Sequence, residues 1–253
     1  MIDFLVNLRK RNGVLYWFGC LNILLSILCI FLSILDDRTI LNENAWIRPL
    51  NYYIYSCITL WSLGWLIDII NSKKYIRPVS WVLAISILIE STLVFIQAYK
   101  GEKAFLDVTS PSNLLIHKCM LLLDFTFCIS VFFIVILLFV QKKMPVSQHY
   151  TWGVRKGVLI FFLFTIFGFY LNFWSDSSTQ MNKQLSILSE IHWNQMSNNS
   201  RWSLMMGLAS LQFIPLISNY ALKKKNQVVF FSIIYFLLAL LLFFSFQFNL
   251  FKI

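Results

Sequence analysis

Glu90 and Asp124 are carboxylates set well inside long apolar runs of the chain. In a bilayer such a group costs at least about 2.5–3.5 kcal/mol at mid-depth, so a ligand pocket, an ion site or a proton relay is the reading to test first. Gln97 follows Glu90 by seven residues, two helical turns along the same face. Gln212 and Asn172 place amides in later apolar runs, and Arg48 stands just before the second run. Glu90, Gln97, Asp124, Gln212, Asn172 and Arg48 are thus the candidate ligand-binding or proton-linked residues. The competing reading for the amides is interhelical hydrogen bonding, worth about 0.6–2 kcal/mol per bond. For Arg48 it is contact with lipid headgroups, and for Asp68 a pairing with Lys73 or Lys74.

Other chemistries find no support. The chain has no GxSxG elbow, HExxH pair, P-loop or glycine-rich dinucleotide turn. His117, His149 and His192 are scattered without metal-ligand spacing, so neither a metal nor a cofactor is expected. No lysine lies deep in an apolar run, which leaves a retinal Schiff base without an attachment point. Cys20, Cys29, Cys57, Cys119 and Cys128 all fall in or at the edge of apolar runs and read as small packing residues.

The elements that would carry these residues are membrane helices. Crossing a hydrocarbon core about 30 Å thick takes roughly 20 apolar residues. Seven stretches qualify: 13–35, 50–70, 80–99, 114–140, 157–173, 202–222 and 228–251. Hydrophobic residues are 58% of the chain and charged residues 13%, about half the ~25% usual in soluble domains. The expected fold is an all-α membrane protein, a single seven-transmembrane helix bundle over residues 1–253.

Charge placement orients it. Arg9, Lys10, Arg11, Lys73, Lys74, Arg77, Lys142, Lys143, Arg155, Lys156 and Lys223 to Lys225 fall on one side, with Asp3 as the acidic residue outside the spans. The other eight basic residues are offset by seven acidic ones. The positive-inside rule puts the N-terminus in the cytoplasm and the C-terminus outside, as an odd number of spans requires. The net charge of +10 is therefore spent on orientation, and nucleic acid is not an expected partner. The first run is longer than a signal-peptide core and is followed by no small-residue cleavage site, so it reads as a retained span.

Two external stretches carry local signals. Met181, Leu185, Leu188 and Ile191 recur near helical period within residues 174–201, which suits an interfacial helix, a cap over the bundle or a docking surface. Trp46 suits the interfacial aromatic belt, and Pro49 suits the first turn of the second helix.

These residues carry a resemblance. Asn44 to Pro49, Ser80-Trp81, Glu90, Gln97-Ala98, Gly101, Val108 to Pro111, Gly207 and Leu211-Gln212 together resemble a family of small, uncharacterised bacterial membrane proteins with seven helices. The resemblance covers most of the chain and implies topology more than activity. Family members have outer-side histidines at the positions of Phe105, Leu204 and Ala209. Apolar or small residues stand there in this chain, which is then a divergent member without any metal or haem site those histidines form.

The function expected is a protein of the cytoplasmic membrane that binds or passes a small or lipid-like ligand through an outward-facing polar pocket centred on Glu90. Its partners are membrane lipids. The alternative is a non-catalytic subunit held by a membrane protein partner. An intramembrane enzyme acting on a lipid or isoprenoid ranks last, because no acid, base and nucleophile stand together.

Overall fold

The computed structural model describes the backbone of residues 2–40, 43–101, 111–141, 144–177 and 198–247. It describes their side chains except for 2, 111–112, 169–177, 198–204 and 243–247. Of the described chain 88% is helical.

A helix no apolar run announces comes first. α1 (Ile2–Arg11) is too short to span and is amphipathic, with Leu8 fully buried and Arg9, Lys10 and Arg11 in its last turn. Phe4 stacks on Trp65 at 4.9 Å, and the Arg11 guanidinium lies 3.8 Å from the Trp65 ring centre. Arg11 also pairs with Asp68 at 3.7 Å, so Asp68 faces α1 and the Lys73 or Lys74 pairing is replaced. Asn12 breaks the chain direction. Its backbone is extended, its side chain accepts from Leu15 N at 3.1 Å, and its amide donates to Ser80 Oγ at 2.7 Å. That one residue caps α2 (Gly13–Leu35) and ties it to a later helix.

Beyond α2 a two-rung hairpin, β1 (Thr39–Ile40) and β2 (Glu43–Asn44), pairs Thr39 with Asn44 and Ile40 with Glu43. Then come α3 (Ile47–Leu66), a 3-10 turn (Ile67–Ile69), α4 (Lys73–Lys100), α5 (Pro111–Val140), α6 (Gln148–Ser177), α7 (Asn198–Tyr220) and α8 (Lys225–Gln247). Each of the seven expected spans coincides with one of the helices α2 to α8, with ends shifted by up to nine residues. Polar and basic residues extend α4, α5 and α6 beyond their apolar parts, because a helix leaving the bilayer can continue into the interface. The amphipathic stretch containing Met181 and Ile191 lies outside the described residues.

Five helices are long and apolar enough to cross a membrane: α2, α4, and the parts 113–140 of α5, 148–168 of α6 and 225–242 of α8. The molecule is accordingly an all-α membrane protein. α3 has the length, at 20 residues, but carries Arg48, Tyr52, Tyr53, Tyr55 and several hydroxyls. It tolerates them by being interior, packed by α1, α2, α4 and α7 with eleven of its residues buried. The lipid-facing helices show the reverse. Only 22% of the spanning part is buried in α2 and in α8, against 67% in α6. Leu24, Ile27, Phe31 and Ile34 form the exposed apolar face of α2.

One core joins α2 through α6 around Leu60, Leu63, Leu83, Ile87, Phe127 and Phe161. A second joins α6, α7 and α8 around Ile160, Phe164, Ile214, Tyr235 and Ala239. The α6–α7 contact is the closest. A Cβ on Gly157 would lie 2.7 Å from Ser210 O, and one on Gly207 would lie 2.6 Å from the Phe164 side chain. Small residues allow this approach between membrane helices, and Ser210 Oγ donates to Gly157 O across it at 3.0 Å.

Candidate functional site

The polar residues of α3, α4 and α5 line up on facing stripes. On α3, Arg48, Tyr52 and Ser56 recur every four residues and so share a face. On α4, Glu90 and Gln97 are seven apart. On α5, Asn113 and His117 are four apart, and Asp124 follows His117 by seven. α3 and α5 start, and α4 ends, at the same end of the bundle, so the stripes begin together and run inward. At 1.5 Å per residue, Glu90 lies about 15 Å below the end of α4.

The stripes meet at Tyr52, Glu90 and Asp124. The Tyr52 hydroxyl and the Asp124 carboxyl both lie within interaction range of the Glu90 carboxyl, and Cys128, one turn beyond Asp124, feels both acids. All three central residues are buried, Glu90 to 1% exposure and Asp124 to 8%. Tyr52 Oη and Glu90 Oε1 are neighbours that make no hydrogen bond of normal geometry, and Ser56 Oγ and Gln97 Oε1 have no hydrogen-bond partner. An unsatisfied buried polar atom costs about 1–3 kcal/mol, and a native structure carries only a few per 100 residues. Here four lie on α3 and α4. Arg48 Nη1, Asn113 Oδ1 and His117 Nδ1 are buried nearer the end of the bundle where α3 and α5 begin.

The expected residues therefore separate. Glu90 and Asp124 come together with Tyr52, Gln97 is buried two turns along α4 from Glu90, and Arg48 is half-buried with its Nη1 inside the bundle. Gln212 is elsewhere. Its amide donates to Ser62 Oγ at 2.8 Å and bridges α7 to α3 further along the bundle. The side chain of Asn172 lies outside the described residues. Tyr52, Ser56 and Asn113 are additions to the set. The four-residue spacing Arg48, Tyr52, Ser56 was the available signal, obscured because tyrosines near a helix end also suit the membrane interface.

At the same end of the bundle sits a polar clamp. Asp36 accepts from Arg38 Nη2 at 2.6 Å, from Arg38 Nε at 2.9 Å and from Trp46 Nε1 at 2.9 Å. Hydrogen bonds from Arg38 and then Trp46 hold the Asp36 carboxyl well below the usual carboxylate range. Arg38 Nη1 donates to Tyr99 O at 2.9 Å, joining the hairpin to the last turn of α4. Trp46 is thereby 2% exposed, drawn out of the aromatic belt by its N–H bond to Asp36 and by Phe95 at 5.2 Å.

Among the described residues no three of His, Cys, Asp and Glu are grouped to hold a metal. His192 lies outside the described residues. The described cysteines are all free, three of them buried. No family model, characterised protein or solved structure matches the chain. Fold and site define an all-α membrane protein with a buried, carboxylate-centred polar strip.

Proposed function

We propose that this is a seven-span protein of the cytoplasmic membrane, N-terminus inside, that binds or passes a small ligand entering from the outer face. Membership of the bacterial seven-helix family, as a divergent chain, is part of the same reading. The strip from Arg48 through Tyr52 and Gln97 to Glu90 and Asp124 is its binding site. The observation that carries this is the buried pair of carboxyls, Glu90 beside Asp124, on a helix pair whose buried oxygens Tyr52 Oη, Ser56 Oγ, Glu90 Oε1 and Gln97 Oε1 make no hydrogen bond of normal geometry.

The chemistry narrows the ligand. Carboxylate and amide oxygens accept hydrogen bonds, and tyrosine and serine hydroxyls do either. Two carboxyls side by side in a water-poor bundle repel strongly unless a proton or cation joins them. A proton, a compact cation or the ammonium-bearing head of a lipid-like molecule fits this donor-poor, acceptor-rich strip. Arg48 at the mouth disfavours a cation entering without an accompanying acceptor.

The test is native-membrane purification in mild detergent followed by mass spectrometry of the retained small molecules. A species bound to the wild type and lost from both Glu90→Gln and Gln97→Ala supports the site. Equal retention by all three proteins, with folding unchanged, overturns it.

A further inference from the structure

A second charged feature lies at the opposite, basic end. Trp152, in the first turns of α6, is flanked by three cations. Lys225 Nζ is 4.3 Å from its ring centre, Arg155 Cζ 5.3 Å and Lys156 Nζ 5.9 Å. Arg155 is already engaged, donating from Nε to Leu138 O at 2.8 Å and from Nη2 to Gln141 O at 2.6 Å, which closes the C-terminal end of α5. Lys156 and Lys225 have no such role among the described hydrogen bonds.

The segments that carry them hold no acid. Residues 125–175 and 191–253 contain no aspartate or glutamate. The ion pairs among the described residues, Arg11 with Asp68 and Arg38 with Asp36, involve other helices. Lys223, Lys224 and Lys225 also crowd the start of α8, where the helix dipole disfavours cations, so helix stability does not account for them. The cluster stands where the spanning parts 148–168 and 225–242 begin, at headgroup depth, and tryptophan is a residue of that layer.

We propose that Trp152, Lys156 and Lys225 form a site for the phosphate headgroup of an anionic phospholipid, wedged between the first turns of α6 and α8. The phosphate supplies the negative charge that the chain lacks there. Trp152 holds the two ammonium groups at fixed positions through its ring face, so the site selects by geometry as well as by charge. This does not rest on the ligand reading given above, since it shares no residue with the strip around Glu90.

The general alternative is that these lysines only add to a count of positive charge. Native mass spectrometry separates the two, with phosphatidylglycerol and phosphatidylcholine of equal chain length added to the detergent-purified full chain. The wild type is expected to retain phosphatidylglycerol in preference. Lys156→Gln with Lys225→Gln should reduce that preference by about thirty-fold, a factor of about five per lysine. Lys223→Gln with Lys224→Gln removes the same charge beside the site and should leave the preference within about two-fold. Lys156→Arg with Lys225→Arg should restore it, which guards against loss of folding in the neutral variant. Equal retention of the two lipids by the wild type, or equal losses in the two neutral double variants, overturns the proposal.

Discussion

Asp36 shows how one side chain stabilises a whole corner of the protein. Its carboxylate receives Arg38 and Trp46 together, and through Arg38 it reaches the end of α4. Because its folded pKa is depressed, the stability it contributes is complete above the unfolded carboxyl value of about 3.9. It is lost as pH falls from there toward the folded value. The thermal midpoint of Asp36→Asn in detergent should therefore lie below that of the wild type at pH 7. The two should converge on acidification below about pH 4. A gap that persists unchanged into acid would contradict this account. Gln212 makes a complementary prediction at the same scale. Gln212→Ala removes the bond to Ser62 and should cost about 0.6 kcal/mol, at most about 1.7, while leaving ligand retention as in the wild type. A loss of the retained ligand would move Gln212 into the site.

Helices make the next level of prediction. α6 and α7 meet through Gly153, Gly157 and Gly207, with side chains of the partner helix occupying the space a Cβ would need. In an open helix, glycine to alanine gains about 1 kcal/mol from propensity. At Gly157 the opposing group is the backbone oxygen of Ser210, which cannot rotate away, so the helices must part. Gly157→Ala should destabilise by about 1–3 kcal/mol, as overpacking does, with the sign opposite to propensity. Reversible unfolding in bicelles measures it, and a stabilised variant would mean that α6 and α7 separate freely. α1 makes a different case. Phe4, Leu8 and Arg11 hold it against the end of α3 and the turn that follows, chiefly through Trp65. Trp65→Ala should leave α2 to α8 folded but expose α1. Faster amide exchange confined to residues 2–11 is the expected outcome, and unchanged exchange there would show that Trp65 does not hold α1.

For the molecule as a whole, topology is the prediction with the widest reach. Single cysteines replacing Ser72, Met144 and Asn226 should be labelled from the cytoplasmic side of intact cells' membranes, and one replacing Asp37 from the outside. Labelling of Asp37→Cys and Ser72→Cys from the same side would remove the seven-span reading and with it the direction of ligand entry. The placement of polar groups makes this consequential. The buried acids and the partnerless oxygens of Asn22, Tyr52, Ser56, Glu90 and Gln97 belong to α2 through α5. The described parts of α6, α7 and α8 pair their buried polar groups locally, as Ser210 does with Gly157 and Tyr235 with Met206 O.

The helices α2 to α8 were legible in the sequence because a backbone in hydrocarbon must satisfy its own hydrogen bonds, and long apolar runs can do so only as helices. Basic segments were legible as ends for the same kind of reason, since charge does not enter the bilayer cheaply. Glu90, Gln97 and Asp124 stood out because polar groups are conspicuous against such a background. What hydropathy cannot contain is the rotation of each helix about its axis, which depends on packing against its neighbours. That rotation buried Arg48 Nη1, set Tyr52 beside Glu90, drew Gln212 to Ser62 and buried Trp46 on Asp36. It also gave α1 its place, since ten amphipathic residues form a lasting helix only where Trp65 and Gly64 receive them. Composition and periodicity determined which segments form long apolar helices. Tertiary packing decided which of their side chains face one another.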